Sequence, residues 1–309
     1  MNLILFAHQN WGVEAIKEIH RSEHKILRVY THPMDMDKHE KQWYHSVKQE
    51  CEKLAINVEE RKNILDQDIQ TIKKLKPDLI FSIGWRRLIP QSIFEIPSKG
   101  TLNIHDGLLP AYRGFAPINW AIINGETEVG VTVHLIDKTA DTGPILFQEK
   151  IPVNLDETAT DVYNKALKLA PSMVMRAISL MSSMTEKLID QTNLEKGFFC
   201  SRRFPNDGKI NWTLDRIKVY NLIRGLSDPY PNAFCYYNNN KIYIKKAKLS
   251  DEDYRGPPGR ICLLNENGMI VTCGTNTTNN QAILITEIAN DEKSYKPIEF
   301  FNKLWEDLS

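Results

Sequence analysis

Residues 3–7 (LILFA) form an unbroken apolar run between polar neighbours, and a run this short predicts a buried strand. Val13, Ile16 and Ile19 then recur at helical spacing, and residues 26–31 (ILRVYT) predict a second strand that closes a βαβ unit. Helices are expected over 45–54 and 69–75, and a third strand over 79–83 after Pro77 and Asp78. Residues 102–105, 129–136 and 145–148 read as further strands. Residues 117–124 read as a helix opened by a proline, and 161–180 as a long helix. Such alternation predicts an α/β fold, an open and mainly parallel sheet covered by helices on both faces. Ligands of these sheets sit outside the carboxyl ends of the strands, which directs attention to residues 8–12 and 84–87.

Beyond Leu188 the texture changes. Residues 200–212 are polar and basic, 217–226 predict one helix, and Pro229-Tyr230-Pro231 breaks it. Short β-rich runs then follow one another (AFCYY, KIYIKKAKL, GRICLL, GMIVTCG, AILITEI), separated by turn signals such as Asn238-Asn239-Asn240 and Gly256-Pro257-Pro258-Gly259. They predict a smaller, β-rich, OB-like domain, a small antiparallel sheet or partly open barrel. The expected division is 1–199 and 200–309, with the Asn-rich 276–280 as a loop.

Composition narrows the function. The chain has 309 residues, 42% hydrophobic and 25% charged, as globular proteins do. Lys+Arg and Asp+Glu are both 39, a net charge of +0 that argues against a broad grip on nucleic acid. Cys51, Cys200, Cys235, Cys262 and Cys273 fall in no zinc-type spacing, so reduced thiols, a cytoplasmic location and no metal are expected. The first residues (MNLILFAHQNWG) lack the basic region of a signal peptide, and no stretch is long enough to cross a membrane, so no membrane association is expected.

The stretch 100–146 carries the chemistry. If 102–105 is a strand, Asn103 and His105 project to the same face, where packing alone explains polar side chains poorly. Asp141 lies in the polar loop that follows the next strand. An amide, a histidine and a carboxylate suit acyl transfer to an amine. Histidine takes the amine's proton, the carboxylate favours the imidazolium, and the amide donates to a developing oxyanion. Each residue also has a plain reading, Asn103 and Asp141 as turn formers and His105 as a packed side chain. His134, inside a strand, reads as packed.

The surrounding residues are more specific. Asn103-x-His105, Leu108-Leu109-Pro110-x-Tyr112-Arg113-Gly114, Ala116-Pro117-Ile118-x-Trp120, Asn124-Gly125-Glu126 and Asp141-Thr142-Gly143-x-Ile145-Leu146 resemble the signature of the folate-dependent formyltransferases. The likeness extends over almost the whole chain. It implies a Rossmann-like formyltransferase domain, N10-formyltetrahydrofolate as donor, and Asn103, His105 and Asp141 as the catalytic triplet. It also implies that loop backbone holds the folate pterin, at Arg87-Leu88-Ile89 and at Asp137, Lys138, Thr139, Ala140 and Asp141. Two departures stand out: Gly107, preceded by Asp106, occupies a position usually held by Ser, and Phe115 replaces Arg or Ala.

Two acceptors compete. In the enzymes that formylate methionine on initiator tRNA, the loop after the second strand is basic. Residues 32–44 here are mixed in charge and contain aromatics. They resemble the formyltransferase domain acting on UDP-4-amino-4-deoxy-arabinose, as do Ser201-Arg202-Arg203-x-Pro205-x-Asp207-Gly208 and Ile210-x-Trp212. The expected acceptor is therefore an amino sugar linked to UDP or dTDP, used for surface polysaccharide, with methionyl-tRNA as the alternative. A glycinamide-type or hydrolytic relative ranks last. Candidate sugar-nucleotide contacts are His8, Asn10, Trp11, Trp85 and Arg86, the last through its guanidinium fork. A homodimer is left open.

Overall fold

The computed structural model describes residues 1–33, 45–183, 187–275 and 281–309. Residues 34–44, which hold most of the loop that bears on the acceptor, and the Asn-rich 276–280 lie outside the described residues. Contacts divide the chain into two compact units interleaved in sequence. The first comprises Met1–Pro117, Glu128–Ile151 and Tyr163–Ser201; the second comprises Ile118–Thr127, Pro152–Val162 and Arg202–Ser309.

The elements of residues 1–183 run in the following order. β1 (Asn2–Ala7), α1 (Gln9–His20), β2 (Lys25–Thr31) and α2 (Val47–Lys53) come first, then β3 (Val58–Glu60), α3 (Asp66–Leu75), β4 (Leu79–Ile83), α4 (Gln91–Phe94) and β5 (Thr101–His105). After a two-residue β6 (Arg113–Gly114) and α5 (Pro117–Asn124) come β7 (Glu128–Leu135), β8 (Ile145–Pro152) and α6 (Ala159–Ser183). Thr158 and Asp161 exchange caps at the start of α6: Asp161 Oδ2 accepts from the Thr158 N–H at 2.9 Å, and Thr158 Oγ1 accepts from the Asp161 N–H at 3.3 Å. Helix α3 begins three residues before its apolar pattern, because Asp68 accepts the Leu65 N–H at 3.0 Å and ties down the first turn.

The sheet order is β3-β2-β1-β4-β5-β7-β8. β1 runs parallel to β2 and β4, β2 to β3, and β4 to β5, while β7 reverses and pairs antiparallel with β5. The chain winds outward from β1 to β3 and returns to β4 on the other side of β1, so the carboxyl ends of β1 and β4 flank a topological switch point. The two ends are drawn together there, the His8 N–H donating to the Ile83 carbonyl at 3.0 Å. Gly84 (φ +69) permits this approach, since a Cβ at that position would lie 2.8 Å from the His8 carbonyl oxygen. Beneath the sheet, Ile4, Phe6, Tyr30, Ile72, Ile80, Trp85, Ile89 and Ile93 form one buried cluster.

The strand β9 (Phe199–Cys200) pairs with β6. In the second unit, α7 (Arg216–Gly225) precedes β10 (Ala233–Tyr237), β11 (Asn240–Leu249), β12 (Ile261–Asn265), β13 (Gly268–Thr272), β14 (Ala282–Ala289), β15 (Ser294–Tyr295) and α8 (Pro297–Phe300). The sheet order is β10-β11-β14-β13-β12, all antiparallel, with β15 on β14. Segments 118–127 and 152–162 belong to this unit physically. Asn119 donates to the Gly225 carbonyl at 2.7 Å, Tyr220 to that of Leu155 at 3.0 Å, and buried Arg224 to those of Asn154 and Glu157. Ile123 packs on a core that contains Trp212, Val219, Ile223, Ile244 and Ile285.

All five cysteines are free thiols and all are buried. Among the described residues, no helix is long and apolar enough to cross a membrane.

Candidate active site

Asn103 and His105 lie two residues apart on β5 and therefore share a face. The antiparallel partner β7 places His134 directly opposite Asn103 and Thr132 opposite His105. The loop after β7 then carries Asp141 back over this face. The three residues singled out by sequence are thus brought together: Asn103 Nδ2 lies 3.3 Å from Asp141 Oδ1, and His105 Nδ1 lies 3.7 Å from Asp141 Oδ2.

Hydrogen-bond partners fix the protons. His105 Nε2 lies 2.8 Å from the Tyr112 carbonyl, which can only accept, so Nε2 carries the hydrogen. Nδ1 is left as the basic nitrogen, facing Asp141. Gly107 allows this ring position, because a Cβ there would stand 2.9 Å from His105 Nε2 and 3.0 Å from Pro117 Cβ. His134 Nδ1 lies 2.8 Å from the Leu135 carbonyl, and its Nε2 lies 3.1 Å from Asn103 Nδ2 and 3.5 Å from Asp141 Oδ1. His134 was expected only to pack. Its strand position alone could not place it across from Asn103, a fact that depends on the β5–β7 register.

Asp141 is mostly buried, and burial alone would raise its pKa. The neighbouring His105 and His134 and the Gly114 N–H (2.8 Å) outweigh that effect and hold the carboxyl at about 2. Its backbone sits in the left-handed region (φ 55), where Asp is tolerated at a cost. Gln191 supports this conformation. Its amide donates to the carbonyls of Asp141 (3.0 Å) and Gly143 (2.7 Å), and its oxygen accepts from Arg113 Nη2 at 2.6 Å. No sequence signal marks Gln191, which lies 50 residues from Asp141 in an irregular stretch. Thr132 and Gln148 do the same for the other loop, Thr132 Oγ1 donating to Gly107 and Gln148 Nε2 to the Leu109 carbonyl.

The two loops expected to meet a pterin are also defined. Leu88 is 70% exposed while Ile89 is buried. Among the described residues, the backbone groups of Arg87, Leu88 and Ile89 enter no hydrogen bond. In the other loop, Asp137 Oδ1 accepts from the Thr139 N–H at 3.1 Å and from Thr142 Oγ1 at 2.7 Å, which closes the turn that carries Lys138 and Ala140.

The five residues expected on the sugar side divide. Trp85 stacks on His32 with centroids 3.7 Å apart and packs edge-on to Phe6, so its ring is committed to the interior. His8 is 1% exposed, with its ring edge-on to His32. Burial first, then Arg86 and His32, depress His8 to about 3 and keep it neutral. Asn10 accepts the His45 N–H at 2.9 Å. Trp11 packs edge-on to Tyr163 at 6.4 Å, and Arg86 is exposed.

This geometry sets a basic imidazole nitrogen, a carboxylate and a primary amide around one point, with no nucleophilic side chain among them. Comparison with known proteins fits that chemistry. Residues 1–178 match the formyl transferase family and 203–304 its C-terminal domain. The chain is 37% identical over 274 residues to the bifunctional polymyxin resistance protein ArnA of Wigglesworthia glossinidia brevipalpis. This match takes in 88% of the chain but only 41% of that relative's length. An N-formyltransferase from Helicobacter canadensis, solved with folinic acid and dTDP-3-aminofucose, shares the fold. Its TM-score is 0.71 at 23% identity, over 95% of this chain and 99% of that one. WlaRD, a sugar 3N-formyl transferase, does so with a TM-score of 0.69 at 24% identity, over 92% and 97%. The chain belongs to the formyl transferase family.

Proposed function

We propose that this enzyme transfers the formyl group of N10-formyltetrahydrofolate to the amine of a nucleotide-linked amino sugar. The observation that carries the reading is the convergence of Asn103, His105 and Asp141 on one face of β5 and β7, in a chain of this family. Two features of the loops support a folate site there. Exposed Leu88 offers an apolar surface, and among the described residues the backbone groups of Arg87, Leu88 and Ile89 enter no hydrogen bond, which suits a flat, hydrogen-bonding ring. Relatives favour the sugar acceptor, since the Helicobacter canadensis enzyme was solved with folinic acid and dTDP-3-aminofucose and WlaRD is a sugar 3N-formyl transferase. Resemblance favours a 4-amino sugar destined for surface polysaccharide, made in the cytoplasm. The division into a catalytic segment 1–199 and a β-rich segment 200–309 belongs to this reading.

The donor supplies an activated formyl group. His105 Nδ1 takes the proton that the acceptor amine loses as it attacks, and ionised Asp141 stabilises the resulting imidazolium. The Asn103 amide meets the negative charge that develops on the formyl oxygen. Its hydrogen bond to Asp141, at 3.3 Å, is the one that oxygen replaces.

His105→Ala and Asn103→Ala should each lower kcat by about 10²–10⁴-fold while folate binding, measured by calorimetry, persists. Near wild-type formylation by both variants would remove the assignment. The acceptor is tested by supplying formyl donor with UDP- and dTDP-linked 3- and 4-amino sugars and, separately, charged initiator tRNA, with products read by mass spectrometry. Formylated tRNA beside untouched sugars would overturn the sugar reading.

A further inference from the structure

Among the described residues, the backbone of 87–89 enters no hydrogen bond and hangs between two anchors. Downstream, the Pro90 carbonyl accepts from the Ile93 and Phe94 N–H groups of α4, at 2.9 and 3.1 Å. Upstream, the Arg86 N–H donates to His32 Nε2 at 3.2 Å. His32 directly follows β2, so its ring reaches past the end of β1 to the segment after β4. On the way it lies edge-on to His8, with centroids 5.2 Å apart. His32 Nδ1 turns the other way and lies 2.9 Å from the Arg61 carbonyl, just beyond β3. The ring face is used too, since Trp85 stacks on it at 3.7 Å with 16° between the planes.

The two polar partners fix the tautomer of His32. A carbonyl only accepts and a backbone N–H only donates, so Nδ1 carries the hydrogen and Nε2 the lone pair. A protonated ring would turn a second N–H toward the Arg86 N–H and lose that bond. Burial first, then the positive Arg86 and Arg87, lower the His32 pKa against the opposite pull of the Arg61 carbonyl, which favours the neutral ring. Arg61 is itself held firmly. Its N–H donates to the Thr31 carbonyl at 2.7 Å, and its guanidinium pairs with Asp68 at 2.9 Å and Glu59 at 3.1 Å. His32 thus ties the segment after β4 to the β3 edge of the sheet.

Resting on the folate reading above, we propose that His32 is a positioning residue for the donor, holding the Arg86 backbone and the Trp85 ring so that residues 87–89 meet the pterin in one arrangement. A loop ordered before its ligand arrives binds more tightly, because the ordering cost is not charged to binding. His32 acts through the loop and not on the reacting atoms, so it governs donor affinity and leaves the chemical step alone.

The test compares the wild-type chain with His32→Phe, which keeps a ring to stack on Trp85 but has neither nitrogen, and with His32→Gln, whose amide carries both an acceptor and a donor. Calorimetry with folinic acid gives Kd, steady-state assays give kcat and donor KM, and thermal unfolding monitors the fold. His32→Phe should weaken folinic acid binding and raise donor KM about 3- to 10-fold, with kcat within about 2-fold of wild type. His32→Gln should recover most of that loss. If His32→Phe binds folinic acid as wild type does, if it loses kcat and not donor affinity, or if His32→Gln is no better than His32→Phe, the His32 assignment fails while the folate reading stands. If wild type binds no folinic acid, the folate reading fails and takes this assignment with it.

Discussion

At the scale of single residues, the site works through fixed protons and tight clearances. His105 presents Nδ1 because Nε2–H is committed to the Tyr112 carbonyl, and in this chain a Cβ at 107 would stand 2.9 Å from Nε2, so the ring or its neighbour would have to shift. Gly107→Ala should displace the imidazole, lower kcat about 10-fold or more, and cost about 1–3 kcal/mol of stability, with a small change in donor KM. Unchanged kcat would mean that the ring has slack. Asp141 makes a second prediction. Its folded pKa of about 2 lies below the ordinary value of about 3.9, so its stabilising contribution is complete above about pH 4 and fades as pH falls toward 2. A pH–rate profile between pH 4 and 9 should therefore contain no inflection from Asp141. An acid limb in that range that disappears in Asp141→Asn would contradict the assignment. Asn103, His105 and Asp141 were singled out in sequence by their likeness to a family signature, although Asp141 lies 38 residues from Asn103 and no periodicity shows that they meet. His134 was not, because its role depends on lying opposite Asn103 across a strand pair.

At the scale of elements, periodicity located the longer strands and helices, since a chain that buries one face must write that face into its spacing. It missed β3, α4, β6, β9, β15 and α8, each too short to show a period, and it carried no sign that β7 reverses against β5. That reversal matters, because it lets the following loop fold back over the face that carries Asn103. Gln191 keeps the loop there. Gln191→Ala would leave two carbonyls and an arginine N–H short of a partner in a largely buried place, costing on the order of 3 kcal/mol. Thermal unfolding should show the loss, and kcat should fall with it as Asp141 leaves its left-handed conformation. A variant of normal stability and activity would show that Arg113, whose Nε also donates to the Asp141 carbonyl at 3.2 Å, holds the loop alone.

At the scale of the whole molecule, composition and texture separated an α/β part from a β-rich part, but they could not reveal the interleaving. Residues 118–127 and 152–162 read as ordinary pieces of the first half, yet their partners are Gly225, Tyr220 and Arg224. Nothing in a linear pattern announces a hydrogen bond across more than a hundred residues. The buried cysteines give a way to watch the two units separately. Burial drives the Cys51, Cys235 and Cys273 thiols up to about 12 and raises Cys200 and Cys262 as well, so little thiolate exists at neutral pH. An aromatic disulfide reagent should find the native protein nearly inert. In rising urea, modification followed by peptide mapping would report opening of the first unit through Cys51 and Cys200, and of the second through Cys235, Cys262 and Cys273. Staggered labelling of the two sets would mean that each unit melts on its own, and simultaneous labelling that they melt as one. The chain thus carries a built-in gauge of its own cooperativity.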